Sequence, residues 1–326
     1  MGKVRGSSPL GSTIFELNRF FNLLSLATMS TPKVTKAVIT AAGRGTRFLP
    51  TVKAYAKELV PIIDKPNIMC LVEEAIAAGI TEICIVHRHG EKTIKKFFAP
   101  DADWDNYLKT VNKTEALDSL RNIRKKLKTL KFVPQHLRLP YGNASPILAA
   151  KSFIGNDPFV YMFGDDLIVE KDTGRYLRHM ISSYSKYSPA VVVSVKDVGP
   201  EEISRYGSAK YLKDPKYPHR ISGMYEKLPA SEAPSFFGQG GRFVVNSKKL
   251  WPVLKNQTLG KSNELWFADA VNTLATTDIV ITEATDKESD WMTTGDPLRW
   301  LKANIATAFT NPDTAADLKA FIKKLK

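Results

Sequence analysis

Cysteine is nearly absent, with two in 326 residues, Cys70 and Cys84. They fall in a predicted helix and a predicted buried strand, which excludes a disulfide framework and suits a reducing compartment, the cytoplasm. No apolar run approaches the ~20 residues a membrane-spanning helix needs, so no membrane partner is expected. Histidine is scarce, and His87 and His89 have no Cys or third His beside them to complete a zinc set. No Gly-Lys-Ser/Thr closes a Walker A loop, and Phe48 stands where a dinucleotide fingerprint needs its third glycine. Nor does a nucleophile elbow support serine hydrolysis.

Acidic residues are outnumbered: 33 Asp and Glu face 47 Lys and Arg, for a net charge of +14. That balance invites a nucleic-acid partner. In the densest basic stretch, 121–131, however, Leu117, Leu120, Ile123, Leu127 and Leu130 recur at helical spacing. The cations there read as the solvated face of an amphipathic helix, so no nucleic acid is expected. The same charge suits a protein whose substrates are phosphate anions.

The chain is long enough to bury a sizeable core. β-rich apolar segments at 37–40, 82–86, 131–133, 159–163, 190–195 and 279–282 alternate with helical patterns, which predicts a parallel α/β architecture. After Pro66, Ile68, Leu71, Val72, Ala75 and Ile76 mark one helix face, stopped at Gly79. Near the C-terminus, Asn311-Pro312-Asp313 reads as a cap, a first-turn proline and an acidic first turn. Leu318, Phe321, Ile322 and Leu325 then give one apolar stripe. Residues 210–220 (KYLKDPKYPHR) read as a hairpin connection rather than a linker, so 34–326 is expected to be a single domain with C-terminal helices. Residues 1–33 read as a non-core extension; a transit peptide and a dimer arm are the alternatives.

The most informative run is 36–66, KAVITAAGRGTRFLPTVKAYAKELVPIIDKP. A β-branched strand enters a turn with Gly43 and Gly45; Arg47 follows, and Lys57 comes ten residues later. Small residues let backbone N–H groups approach an anion, and two cations can hold a polyphosphate. The competing reading is an ordinary strand-to-helix turn with surface Arg and Lys. Ligands of open α/β sheets bind beyond the carboxyl ends of the strands. The glycine loop, Gln135 and Asp165 all follow predicted strands, which brings them toward one crevice.

GxGTRFLPxxKxxxKE and the Pro and Asp-Lys-Pro that follow resemble the opening of the bacterial UTP–glucose-1-phosphate uridylyltransferases, within the sugar-1-phosphate nucleotidylyltransferase family. The resemblance continues at Phe132-Val133-Pro134-Gln135, Phe163-Gly164-Asp165-Asp166, Ser204-Arg205-Tyr206-Gly207, Tyr225-Glu226-Lys227, Gly241-Arg242-Phe243 and Thr294-Gly295-Asp296-Pro297, over about 34–308 in the family's order. It implies a Rossmann-like, GT-A-like α/β fold: a mixed, mostly parallel sheet flanked by helices. The reaction it implies makes UDP-glucose and pyrophosphate from UTP and glucose 1-phosphate, with Mg²⁺ as cofactor, in a homo-oligomer (dimer or tetramer). Motif by motif, Arg47 and Lys57 would hold the triphosphate over the Gly43, Gly45 and Thr46 backbone, with Lys53 in support. Lys227 would hold the sugar phosphate, Glu226 the sugar hydroxyls, and Gly207 would let the backbone approach the hexose. Gln135 with the backbone of Ala41, Ala42 and Gly142 would read the base, and Asp165 would ligate the metal.

The sequence departs from the family at two places. Gly142 lies in a loop less glycine-rich than usual, which leaves thymine open beside uracil. Thr293 stands where relatives carry a second metal-binding aspartate, which leaves open water-mediated help from Asp296, reliance on Asp165 alone, or sugar-nucleotide binding without catalysis. A sister enzyme using dTTP or another hexose 1-phosphate is the remaining alternative.

Overall fold

The computed structural model describes residues 32–113 and 115–325, with backbone alone at 115–117, 119 and 261. The expectation for the N-terminal extension therefore lies, up to position 31, outside the described residues, as does the side chain of Leu117. Lys33–Lys326 form one compact unit. In chain order the strands are β1 (Lys36–Ala41), β2 (Pro61–Ile62), β3 (Lys65–Pro66), β4 (Glu82–Arg88), β5 (Thr129–Gln135), β6 (Phe159–Phe163), β7 (Asp166–Glu170), β8 (Val191–Asp197), β9 (Gly207–Tyr211), β10 (Ile221–Glu226), β11 (Phe237–Val245), β12 (Val280–Ala284) and β13 (Ser289–Thr293).

β5, β4, β1 and β6 lie side by side in parallel. β11 runs against β6 on one edge and against β8 on the other, and β12 extends β8 in parallel. The sheet is therefore mixed and mostly parallel, with β11 and β10 the reversed strands. Strand alternation explains its burial. Val38, Cys84, Val86, Tyr161, Val193 and Phe243 pack into the core on one face, and Ala37, Ile39, Ile83, Ile85, Met162 and Val244 into the core on the other. Covered on both faces, these strands read as continuous apolar runs, which is why the sequence discloses them. The helix Asn67–Ala77 covers the second face with Ile68, Leu71, Val72 and Ala75, all buried. It ends as expected at Gly79 (φ 90°), where Ile80 N donates to Ala75 O and Gly79 N to Ile76 O, both at 3.0 Å.

The antiparallel hairpin β9–β10 sits where the 210–220 stretch predicts one. It joins β11 through the Gly238–Ser208 pair. The Asn272 side chain clasps it from the helix Phe267–Thr277, accepting from Met224 N at 2.6 Å and donating to Met224 O at 2.9 Å.

One expectation needs correction. The basic helix, Glu115–Lys126, stops before Leu127, and Leu130 belongs to β5. Those leucines pack against the same core as Ile123, but from a helix end and a strand rather than from one helix stripe. The last helix, Pro312–Lys324, is capped by Asn311 Oδ1 accepting from Asp313 N at 3.0 Å. Its stripe does not enter the core: Phe321 is 58% and Leu325 70% exposed.

Candidate active site

The carboxyl ends of the parallel strands set one side of the site. Gln135 lies beside Arg88, His87 beside Ala41, and Thr40 beside Phe163, so the ends of β5, β4, β1 and β6 form one row. At a strand spacing of about 4.8 Å that row spans roughly 15 Å. The glycine loop leaves from Ala41 and Ala42. Gly45 takes a left-handed φ of 63°, and a Cβ there would stand 2.9 Å from Lys57 Cβ, so both backbone and space require glycine. The next residues, Thr46–Phe48, make a single 3₁₀ turn that leaves Arg47 exposed to the cleft.

Lys57 runs beneath this loop to the turn after β6, where its Nζ lies 2.5 Å from Asp165 Oδ2 and 4.0 Å from Glu58 Oε1. Burial works to lower the Lys57 ammonium, but Asp165 and then Glu58 outweigh it and raise it above the usual lysine range. Desolvation works to raise Asp165; Lys57, and more weakly Arg47, overcome it and hold the carboxyl below its usual range. Its neighbour behaves oppositely. Burial, and then the charge of Asp165, push Asp166 up to about 7 against the pull of Arg242.

β13 closes the site from the other side. Thr293 pairs with Asp166 in register, and Thr294 N donates to Asp165 O at 2.6 Å. A Cβ on Gly295 would lie 3.2 Å from Asp165 Oδ2, 3.4 Å from Thr293 Oγ1 and 3.8 Å from Arg47 Nη1, so three separate stretches of chain meet at one point. From there opens a cleft of about 870 Å³ whose lining includes Arg47, Tyr206, Lys227, Thr293 and Arg299. Lys227 reaches it from the end of β10 in a left-handed conformation (φ 52°), its N–H donating to Tyr206 O at 3.1 Å and its Nζ 5.9 Å from the centre of the Trp266 ring. Gly207 opposes Glu226 across the β9–β10 ladder. Arg47, Lys57, Asp165 and Lys227 are thus brought together, with Gln135 further along the strand ends. Gly142, with φ 136°, packs against the Leu265 backbone, where a Cβ would meet the carbonyl oxygen.

Residues 36–308 match the family model described as Nucleotidyl transferase. The chain belongs to that family. A relative named UTP–glucose-1-phosphate uridylyltransferase YngB, from Bacillus subtilis (strain 168), is 34% identical over 291 residues, covering 89% of this chain and 95% of the relative. The solved structure of a UDP-glucose pyrophosphorylase complexed with UDP-glucose superposes with a TM-score of 0.73 at 31% identity, over 85% of this chain and 100% of that one. A UTP-bound UGPase from Acinetobacter baumannii superposes at 0.78 with 29% identity, over 90% and 100%.

The donor set of this nucleotidyl transferase bears on what metal it can hold. Among the described residues no group of three or more His, Cys, Asp and Glu side chains could hold an ion. Asp165 supplies one accessible carboxylate, whereas Asp166 is buried. Thr293 Oγ1 donates to Asp165 O at 3.3 Å and accepts from Gly295 N at 3.3 Å. Asp296 caps the helix Pro297–Thr310, accepting from Arg299 N at 3.0 Å, and pairs with the Arg299 guanidinium at 3.1 Å. It is spent on its own helix. A set of this kind fits a hard cation carried mainly by substrate phosphates, as Mg²⁺ often is, and does not fit a cage made of protein alone.

Several residues of the site carry no role in the sequence reading. Asn67 Nδ2 donates to Gly164 O at 2.7 Å and to Thr294 Oγ1 at 3.2 Å, tying β6's turn to β13. Arg242, fully buried, grips Glu74 at 2.8 and 2.7 Å and donates to Asp166 O at 3.1 Å. Glu58 lies 2% exposed behind Lys57, its Oε2 without a hydrogen-bond partner. An acidic residue directly after the site lysine, inside an apolar stretch, is the one signal that could have flagged Glu58.

Proposed function

We propose that the chain transfers a uridylyl group from UTP to glucose 1-phosphate, releasing pyrophosphate and forming UDP-glucose. One observation carries this reading: the cleft that holds Arg47, beside the glycine loop, also holds Lys227 at its far side. A phosphate oxygen of the sugar attacks the α-phosphorus of UTP, and the bond to the β-phosphate breaks with its electron pair leaving on pyrophosphate. The nucleophile is already an anion, so no strong base is needed. The task is to align two anions that repel by ~4 kcal/mol per unit pair at 4 Å and a dielectric near 20.

Arg47 and Lys57 hold the triphosphate against the Gly43–Thr46 backbone, and Lys227 holds the sugar phosphate on the opposite side. Glu226 accepts hexose hydroxyls beside Gly207. The Gln135 amide, donor and acceptor at once, meets the imide edge of the base, with the Ala41 and Ala42 backbone beneath it. Asp165 would hold Mg²⁺ together with the phosphates; when bound, the ion neutralises charge on the leaving pyrophosphate. The absence of a disulfide between Cys70 and Cys84 fits a cytoplasmic setting, and a homo-oligomer remains part of the proposal.

Turnover across UTP, dTTP, ATP and GTP, each with several hexose 1-phosphates, tests the reading. Pyrophosphate release is expected with UTP and glucose 1-phosphate above every other pair. Faster release with dTTP overturns the base assignment, and tight UDP-glucose binding with no release overturns catalysis.

A further inference from the structure

We infer that Lys57 is a resident counter-ion on Asp165, which keeps divalent metal off that carboxylate until nucleotide phosphates draw the ammonium away, so that metal enters only together with nucleotide. This deepens the uridylyl-transfer reading of the site and rests on it. The argument begins with occupancy. Lys57 Nζ sits 2.5 Å from Asp165 Oδ2 and 13% exposed, a close charge-assisted contact rather than a loose surface pair. An ion at the ~2.1 Å that Mg²⁺ requires from oxygen could not share this carboxylate without meeting the ammonium at close range. Arg47 Nη1 adds a second positive charge from the Gly295 side.

Compensating acids open to an ion are few: Glu58 is buried behind Lys57. Thr293 brings a neutral hydroxyl, Asp296 is held by Arg299, and Asp166 is buried against the Arg242 strand. A bare divalent cation therefore faces one carboxylate that two cations already neutralise.

Nucleotide reverses the balance. A triphosphate above Gly43 and Gly45 offers several anionic oxygens to an ammonium that already runs beneath those glycines; a Cβ on Gly43 would lie 3.6 Å from Lys57 Nζ. Moving Nζ by a hydrogen-bond length trades one carboxylate for phosphate oxygens and frees Asp165 for metal that the same phosphates carry. Glu58 lies 4.0 Å from Nζ on the buried side, away from the glycine loop's phosphate-facing surface. Lys57 thereby couples metal entry at Asp165 to nucleotide binding, beyond the coupling that the phosphates themselves provide.

Mn²⁺, which is visible by electron paramagnetic resonance, is the probe, titrated into the full chain with and without UTP. Without nucleotide, the wild type is expected to bind Mn²⁺ at least tenfold more weakly than Lys57→Met, while Lys57→Arg, which keeps the charge, stays near the wild type. With UTP present the wild type is expected to gain bound Mn²⁺ beyond that of UTP alone in solution. Tight Mn²⁺ binding to the nucleotide-free wild type overturns the inference without recourse to any variant. So does a Lys57→Met protein that melts cooperatively and binds Mn²⁺ no better than the wild type. A wild type that fails to bind UTP overturns the site reading itself, and is thereby distinguishable from a failure of the inference alone.

Discussion

At the scale of single residues, the site is built from groups held away from their ordinary states. Lys227 occupies a left-handed backbone conformation that a lysine rarely adopts, fixed by its N–H on Tyr206 O. Lys227→Ala is expected to lower kcat by ~10²–10³, the usual cost of losing one charge-stabilising donor, while UTP affinity changes little. Pyrophosphate release and calorimetric UTP titration check the two halves separately. Glu58 tells a different story. Burial pushes its carboxyl from 4.5 up to about 7, against the attraction of Lys57. Between those values the folded chain binds more protons than the unfolded one, so Glu58 costs stability as pH rises from 4.5 to 7. Glu58→Gln does not titrate. Relative to that variant the wild type should lose about 3 kcal/mol across the window, at ~1.4 kcal/mol per pKa unit. Urea unfolding at pH 4.5 and pH 7.5 measures the gap, and equal gaps at both would remove Glu58 from the account.

At the scale of elements, the Arg242–Glu74 pair ties β11 to the helix Asn67–Ala77 and, through Asp166 O, to the turn that carries Asp165. A fully buried ion pair contributes little when intact, yet leaves an uncompensated charge when broken. Arg242→Met should destabilise by about 3–5 kcal/mol, and Glu74→Leu with Arg242→Met should recover most of that. Turnover should stay low in the double variant, because Asp166 O has lost its donor; denaturation and pyrophosphate release read the two effects. Such couplings explain what sequence discloses and what it withholds. β1, β4, β6 and β8 are legible because they are buried on both faces and apolar throughout. The glycine loop is legible because Gly43, Gly45, Arg47 and Lys57 stand within one short run. β11 escapes because Gly238, Gly240 and Gly241 give FGQGGRFVV the look of a loop. The Glu74–Arg242 contact spans 168 positions, and nothing in local spacing announces it. The basic helix was read too long for the opposite reason: its leucines keep their rhythm across the boundary at Lys126 while the backbone changes from helix to strand.

At the scale of the whole molecule, the proposed nucleotide side is assembled from parallel strand ends and the proposed acceptor side from a hairpin. The two differ in how they are anchored. The strand ends belong to the parallel sheet, whereas residues 207–227 meet β11 at the Gly238–Ser208 pair and β12 at the Arg220–Ile281 bridge, are clasped by Asn272, and send Ala209, Ile221 and Met224 into the central core. The hairpin is nevertheless one continuous stretch of chain, so it can be exchanged as a single segment. Replacing 207–227 with the matching stretch of a relative that takes a different hexose should carry the sugar choice across while the base choice stays behind. Diversification within such a lineage can then proceed by trading one short ribbon of chain, leaving the glycine loop, Arg47 and Lys57 untouched.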